Sequence, residues 1–194
     1  QHVDNSSTRV TTFAYDWRNR RLSTTGEESF CEAMTYDNLD RVLRVDRRNG
    51  SSTGTLLART ESLYDDRSRV YRTISYEVDP ATGAVGESLS SDTWYDESGN
   101  VVKSLAAGSQ VFAKTKYDGV GRPITRYVAI DDDEISYTDA FSVADDTVLE
   151  QSETTYDGAS NPIATTTRLR HHDATGLGAL TTSQGAQPRA RVTY

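Results

Sequence analysis

Six copies of the dipeptide Tyr-Asp punctuate the chain, at Tyr15-Asp16, Tyr36-Asp37, Tyr64-Asp65, Tyr95-Asp96, Tyr117-Asp118 and Tyr156-Asp157. Random placement of 11 Tyr and 19 Asp among 194 residues gives about one such pair, so the recurrence marks a repeat architecture. The flanks repeat in phase. Four residues after each Tyr stands a small or turn-forming residue (Asn19, Asp40, Ser68, Gly99, Gly121, Ser160). Five after it stands Arg or Asn (Arg20, Arg41, Arg69, Asn100, Arg122, Asn161), and seven after it an apolar or aromatic residue (Leu22, Leu43, Tyr71, Val102, Ile124, Ile163). Successive Tyr are 21, 28, 31, 22 and 39 residues apart, and a further 38 lead to Tyr194. That register predicts six units and the start of a seventh over residues 1–194, as a fragment of a longer array.

Each unit reads as strand, turn, strand. The residues before the Tyr have strand chemistry, as in Thr11-Thr12-Phe13-Ala14 and Ala113-Lys114-Thr115-Lys116, and those after the seventh position resume it. An Asp that opens a turn accepts backbone N–H bonds two residues on, and Gly or Asn three residues later tolerates a left-handed backbone. The unit therefore predicts a four-residue hairpin loop with a bulge, which Ser68 and Ser160 suit less well. The Arg or Asn is placed to bond the turn carbonyls or a neighbouring Asp. Between hairpins, turn signals at Thr25-Gly26-Glu27, Asn49-Gly50-Ser51, Asp79 to Gly83, Ala107-Gly108-Ser109 and the stretch from His171 to Gln187 return the chain. An isolated hairpin is marginal in water, so each must be covered by the next. No window has a convincing helical period; the acidic stretch Asp131 to Glu150 comes nearest and reads as a longer insertion. The expected fold is all-β, with repeated antiparallel β-hairpins forming a curved or spiral sheet.

Composition narrows the function classes. Leu, Ile, Val and Phe make up 36 of 194 residues, with a formal net charge of -8 and mean hydropathy of -0.65, which disfavours a compact deep-cored enzyme domain. The 25 Thr, 15 Val and 11 Tyr suit a half-buried pleated surface instead. A pI near 4.9 argues against nucleic-acid binding, which relies on a basic surface. No apolar run approaches the roughly 20 residues of a membrane-spanning helix. Cys31, the only cysteine, forms no internal disulfide and reads as a buried strand residue.

The unit, clearest as Tyr117-Asp118-Gly119-Val120-Gly121-Arg122-Pro123-Ile124, resembles the YD repeat of the Rhs family, which includes bacterial Rhs polymorphic toxins, C subunits of Tc toxin complexes and animal teneurins. The resemblance covers essentially the whole chain. It implies repeats that build a large spiral β-sheet closing into a hollow shell, which in the bacterial toxins encloses a C-terminal effector polypeptide. The family's terminal core region, with its Asp-Pro-x-Gly-Leu-type segment, and an effector domain have no match here, and the acidic inter-repeat segments exceed the usual spacing.

Sharper chemistry finds little support. His171-His172-Asp173 lies in a Gly-rich connection and reads as an exposed loop; on a strand its two His would face opposite ways, a poor arrangement for one ion. Asp131-Asp132-Asp133-Glu134 lacks the spaced calcium-loop pattern and reads as a solvated loop. Asn5-Ser6-Ser7 and Asn49-Gly50-Ser51 match the glycosylation sequon, but Asn-Gly is first a turn. Neither a catalytic constellation nor a cofactor site emerges. Trp17, Trp94, Tyr127 and Tyr137 look exposed and raise a carbohydrate-binding alternative, for which Trp17, inside the first turn, is the best single contact; cross-strand packing is the simpler account of the group. The leading expectation is a non-enzymatic structural segment, secreted or at a cell surface, partnered by flanking YD repeats and by an enclosed effector polypeptide.

Overall fold

The structure is a computed structural model that describes residues 10–26, 30–130 and 137–181, and the backbone of 188–193. His2, the Asn5 sequon, Asp131 to Glu134 and Tyr194 lie outside the described residues. The chain divides into two units, Gln1–Ser90 and Ser91–Tyr194. The first holds β1 (Thr12–Tyr15), β2 (Arg21–Thr25), β3 (Phe30–Tyr36), β4 (Val42–Asn49), β5 (Leu56–Tyr64) and β6 (Val70–Val78). β7 (Val85–Tyr95) runs from the first unit into the second, which continues with β8 (Val101–Leu105), β9 (Val111–Tyr117), β10 (Pro123–Ile130), β11 (Thr147–Tyr156), β12 (Pro162–Leu169) and β13 (Pro188–Thr193). Within each unit the strands lie side by side in chain order, each antiparallel to its sequence neighbour. A short 3-10 helix, Tyr137–Phe141, interrupts the all-β pattern.

The six hairpins fall where the motif puts them. β1, β3, β5, β7, β9 and β11 all end on the motif Tyr, and the following Asp opens the turn. The Asp N–H donates to the carbonyl four residues on, as from Asp16 to Arg20 at 3.0 Å, and the Asp carbonyl accepts from the residue three on, as from Asn19 at 3.0 Å. That residue has positive φ in every copy: Asn19 62°, Asp40 63°, Ser68 63°, Gly99 93°, Gly121 83° and Ser160 69°. Ser68 and Ser160 thus adopt the left-handed conformation despite their weaker fit, because a closed turn leaves the backbone no other path. The apolar seventh position has a specific structural cause. Tyr15 pairs with Arg21 whereas Ala14 pairs with Ser23, so Leu22 is an extra, bulged residue. The same skip singles out Leu43, Tyr71, Val102, Ile124 and Ile163.

The two units bury different things. In the first, burial is thin: Cys31 and Leu56 are buried, as is Asp46, whose carboxylate receives Arg59 Nε at 2.8 Å and Arg48 at 2.8 Å. In the second, the segment following β10 folds over one sheet face. Phe112, Tyr127, Ala129 and Val148 from the strands meet Val143 and Leu180 from the connections. Lys114, 3% exposed, anchors this cover by donating to the carbonyls of Asp139 (2.8 Å) and Ser142 (2.7 Å) and pairing with the Asp146 carboxylate (2.9 Å). Gln151 accepts from the Leu180 N–H at 2.7 Å. Of the insertion expected from Asp131 to Glu150, residues 137–146 thus form the lid of a local core, whereas Thr147 to Glu150 are not insertion but the start of β11, paired to β10 and β12.

Gly121 and Gly119 separate turn conformation from packing. A Cβ at Gly121 would meet only Asn100 Oδ1, at 3.9 Å, and one at Gly119 would meet nothing within 4 Å, but Gly121 alone of the two has positive φ. Gly121→Ala is expected to lower stability by about 1 kcal/mol and Gly119→Ala to leave it within about 0.5 kcal/mol, as read by urea denaturation.

Candidate functional site: the turn ladder

Each turn is built on its Asp. Asp16 Oδ1 accepts the backbone N–H of Arg18 (2.9 Å) and Arg20 (2.9 Å), and Oδ2 accepts Arg20 Nε (2.7 Å). Asp37, Asp65 and Asp118 repeat this with Arg41, Arg69 and Arg122, their Nε to Oδ2 distances being 2.6, 2.7 and 2.7 Å. Asp96 and Asp157 use the amides of Asn100 and Asn161, at 2.8 and 3.0 Å. All six carboxyls are held below their ordinary value. At Asp16, Asp37, Asp65 and Asp96 desolvation pushes upward, and the backbone and side-chain donors of the Arg or Asn outweigh it. At Asp118 the Arg122 backbone N–H leads the lowering, and at Asp157 the Asn161 side chain does.

The Arg does a second job. With Nε on its own Asp, its Nη1 reaches the next hairpin in the unit. Arg20 donates to the Asp37 carbonyl at 2.9 Å and to Asp40 Oδ1 at 3.0 Å, and its guanidinium carbon lies 5.0 Å from the centre of the Tyr36 ring. Arg41 does the same to the Asp65 carbonyl (3.3 Å), Ser68 Oγ (3.3 Å) and Tyr64 (4.7 Å). Arg122 reaches the Asp157 carbonyl (3.3 Å), Ser160 Oγ (3.1 Å) and Tyr156 (4.7 Å). The Tyr hydroxyl links backward: Tyr36 donates to the Arg21 carbonyl (2.8 Å), Tyr64 to Val42 (2.9 Å), Tyr117 to Val101 (2.9 Å) and Tyr156 to Pro123 (3.0 Å). The motif residues therefore form a ladder from hairpin to hairpin, in which Arg20, Arg41 and Arg122 are each stacked on the next aromatic face and hydrogen-bonded at its rim. The sequence pointed to the turn carbonyl as an Arg partner; the stacking on the next Tyr requires two hairpins side by side.

The aromatics expected at the surface divide. Trp17 is 89% exposed in the first turn, with the Arg18 guanidinium 5.3 Å from its ring centre. Tyr137 is also exposed, and its hydroxyl bonds the backbone of Tyr95. Tyr127, by contrast, is 4% exposed in the core of the second unit, because the lid after β10 covers it. Trp94 is half-buried, with Lys103 Nζ 4.7 Å from its ring centre. His171, His172 and Asp173 lie in a turn beyond β12, so strand alternation does not separate them: their ligand atoms are within 4.8 Å of one another, and all three are exposed. His171 Nδ1 is engaged by the Asp173 carboxylate. Cys31 is fully buried, its Sγ 3.3 Å from Thr25 Oγ1. No helix among the described residues is long and apolar enough to cross a membrane.

No family model matches the chain, and no curated protein matches it. Among solved structures it is similar to the TcdB2-TccC3 complex, with 13% identity over 84% of this chain and 10% of that one and a TM-score of 0.44. It is also similar to the Tc holotoxin pore of Photorhabdus luminescens, with 12% identity over 82% of this chain and 9% of that one and a TM-score of 0.42. A Bacteroides fragilis protein aligns over 98% of this chain and 94% of that one at 7% identity, with a TM-score of 0.23. The chain thus spans about a tenth of the length of the toxin chains it matches.

The lowered carboxyls set a pH dependence. A turn Asp is ionised at lower pH in the folded chain than in the unfolded one, so unfolding in acid takes up protons. Its stabilisation is present above the ordinary value of 3.8 and is lost as pH falls through the lower native value. Asp118→Asn is therefore expected to be less stable than the parent at pH 7, with the difference in melting temperature shrinking steadily from pH 4 to pH 2. A difference that stays constant down to pH 2 would refute the assignment.

Proposed function

We propose that this chain is a structural segment of a larger YD-repeat shell or extracellular scaffold, whose wall encloses a C-terminal effector polypeptide and which performs no catalysis itself. The observation that carries the reading is the ladder: the residues that recur are engaged in closing turns and joining hairpins. Tyr15 supports a flanking repeat as partner. It occupies the same motif place as Tyr36 and Tyr64, yet is 54% exposed, with its strand β1 exposed along its whole length. By the geometry of the other turns, an Arg from a preceding hairpin would stack on it. The reading carries with it a secreted or cell-surface location.

The test adds one Tyr-Asp hairpin ahead of β1, with either Arg or Ala at its fifth position after Tyr. The Arg form is expected to melt several degrees above the Ala form, and Tyr15→Leu to cancel the difference; equal melting temperatures would overturn the partnering. Enclosure is read by limited proteolysis of a parent chain that carries this segment, in which the C-terminal polypeptide should be cut only after the shell is unfolded.

An adhesion or carbohydrate-binding role is favoured by one observation, the exposure of Trp17. Glycan-array binding that disappears with Trp17→Ala would support it, and no binding by the parent chain would exclude it.

A further inference from the structure

The ladder breaks at one place inside the second unit. Between the fourth and fifth hairpins the backward link is intact, since the Tyr117 hydroxyl reaches the Val101 carbonyl, but the residue that should send a guanidinium forward is Asn100. Its amide ends on Asp96 Oδ2 and is too short to continue. Among the described residues two acceptors for a guanidinium are consequently left open: the face of Tyr117, on which no cation stacks, and the outer side of the Asp118 carbonyl, which receives only the Gly121 N–H at 3.0 Å. Lys116, the nearest cation along the strand, borders the same gap, with its ammonium over the Tyr127 ring, 5.5 Å from its centre, and not over Tyr117.

At this gap lies a cleft of about 720 Å³, lined by both turns, with Asp96 and Asn100 on one and Tyr117, Asp118 and Gly121 on the other. Val102, Ile124 and Phe141 supply apolar lining, suited to an aliphatic stem. At the fifth motif position the fourth hairpin places a neutral amide on its Asp where the first, second and fifth place a guanidinium.

We propose that this cleft binds an arginine side chain presented by a partner polypeptide. The guanidinium lies on Tyr117 and donates to the Asp118 carbonyl, while the stem packs on the apolar lining. The pose is the one that Arg20, Arg41 and Arg122 adopt on Tyr36, Tyr64 and Tyr156. The inference uses the motif geometry alone and does not depend on the shell reading.

The experiment titrates the 194-residue chain with N-acetyl-arginine amide, following amide chemical shifts, beside the uncharged isostere N-acetyl-citrulline amide. Saturable shifts at Asn100 and Gly121 are expected, with a Kd on the order of millimolar, at least tenfold weaker for the citrulline compound. Asn100→Arg, which fills the cleft from within, should abolish the shifts and raise the melting temperature. Tyr117→Phe should keep the Kd within about twofold, and Tyr117→Leu should weaken it at least fivefold. Equal binding of the two compounds, absence of saturable shifts, or undiminished binding in a folded Asn100→Arg chain would each overturn the proposal. Should that variant fail to fold, the Phe and Leu pair at position 117 decides it, since equal affinity of the two also overturns it.

Discussion

The motif Asp carboxylate is the point on which the rest of this structure depends. One oxygen takes two backbone N–H groups and so closes the turn; the other holds the Arg Nε and so aims the guanidinium outward. An Arg side chain that was free to rotate would lose several rotatable bonds of freedom on stacking against the next Tyr. Fixed at Nε, it reaches its partner already oriented. Turn closure and hairpin joining are in this way one interaction, and a chain with little apolar surface can still be specified repeat by repeat.

The ladder also explains how so few buried side chains suffice. In the first unit the most heavily covered groups include a carboxylate, Asp46, held between arginines from two strands. In the second unit a hydrophobic cluster exists because the segment after β10 folds back and is tied down by Lys114, which donates to Asp139, Ser142 and Asp146 of the covering segment. A buried ammonium is tolerated only where its donors are all met, which makes this anchor demanding in geometry and therefore specific.

Asn at the fifth position is where the repeat departs from its own rule. It satisfies the local requirement, a donor for the Asp, and drops the non-local one, reach to the next hairpin. The resulting gap at Tyr117 is a feature of a neighbouring pair and belongs to neither hairpin alone.

The hairpins were legible from the sequence because their determinants are local. Tyr, Asp, the left-handed residue and the Arg or Asn all lie within six positions of one another, and turn chemistry acts over that range. The bulge was legible only as a recurrent apolar residue, since a seventh position in phase does not reveal that Leu22 or Val102 is skipped in the pairing. The fate of the aromatics was decided by the tertiary structure alone. Tyr127 lies on a strand whose pattern does not distinguish a solvated face from a covered one, and the cover comes from a polar, acidic segment with no helical or strand period to announce it. The stacking of Arg20 on Tyr36, and the open place left by Asn100, likewise come into being only when one hairpin is laid against the next. A side chain's own neighbours determine its turn, but what it touches across a sheet depends on a register that no local stretch encodes.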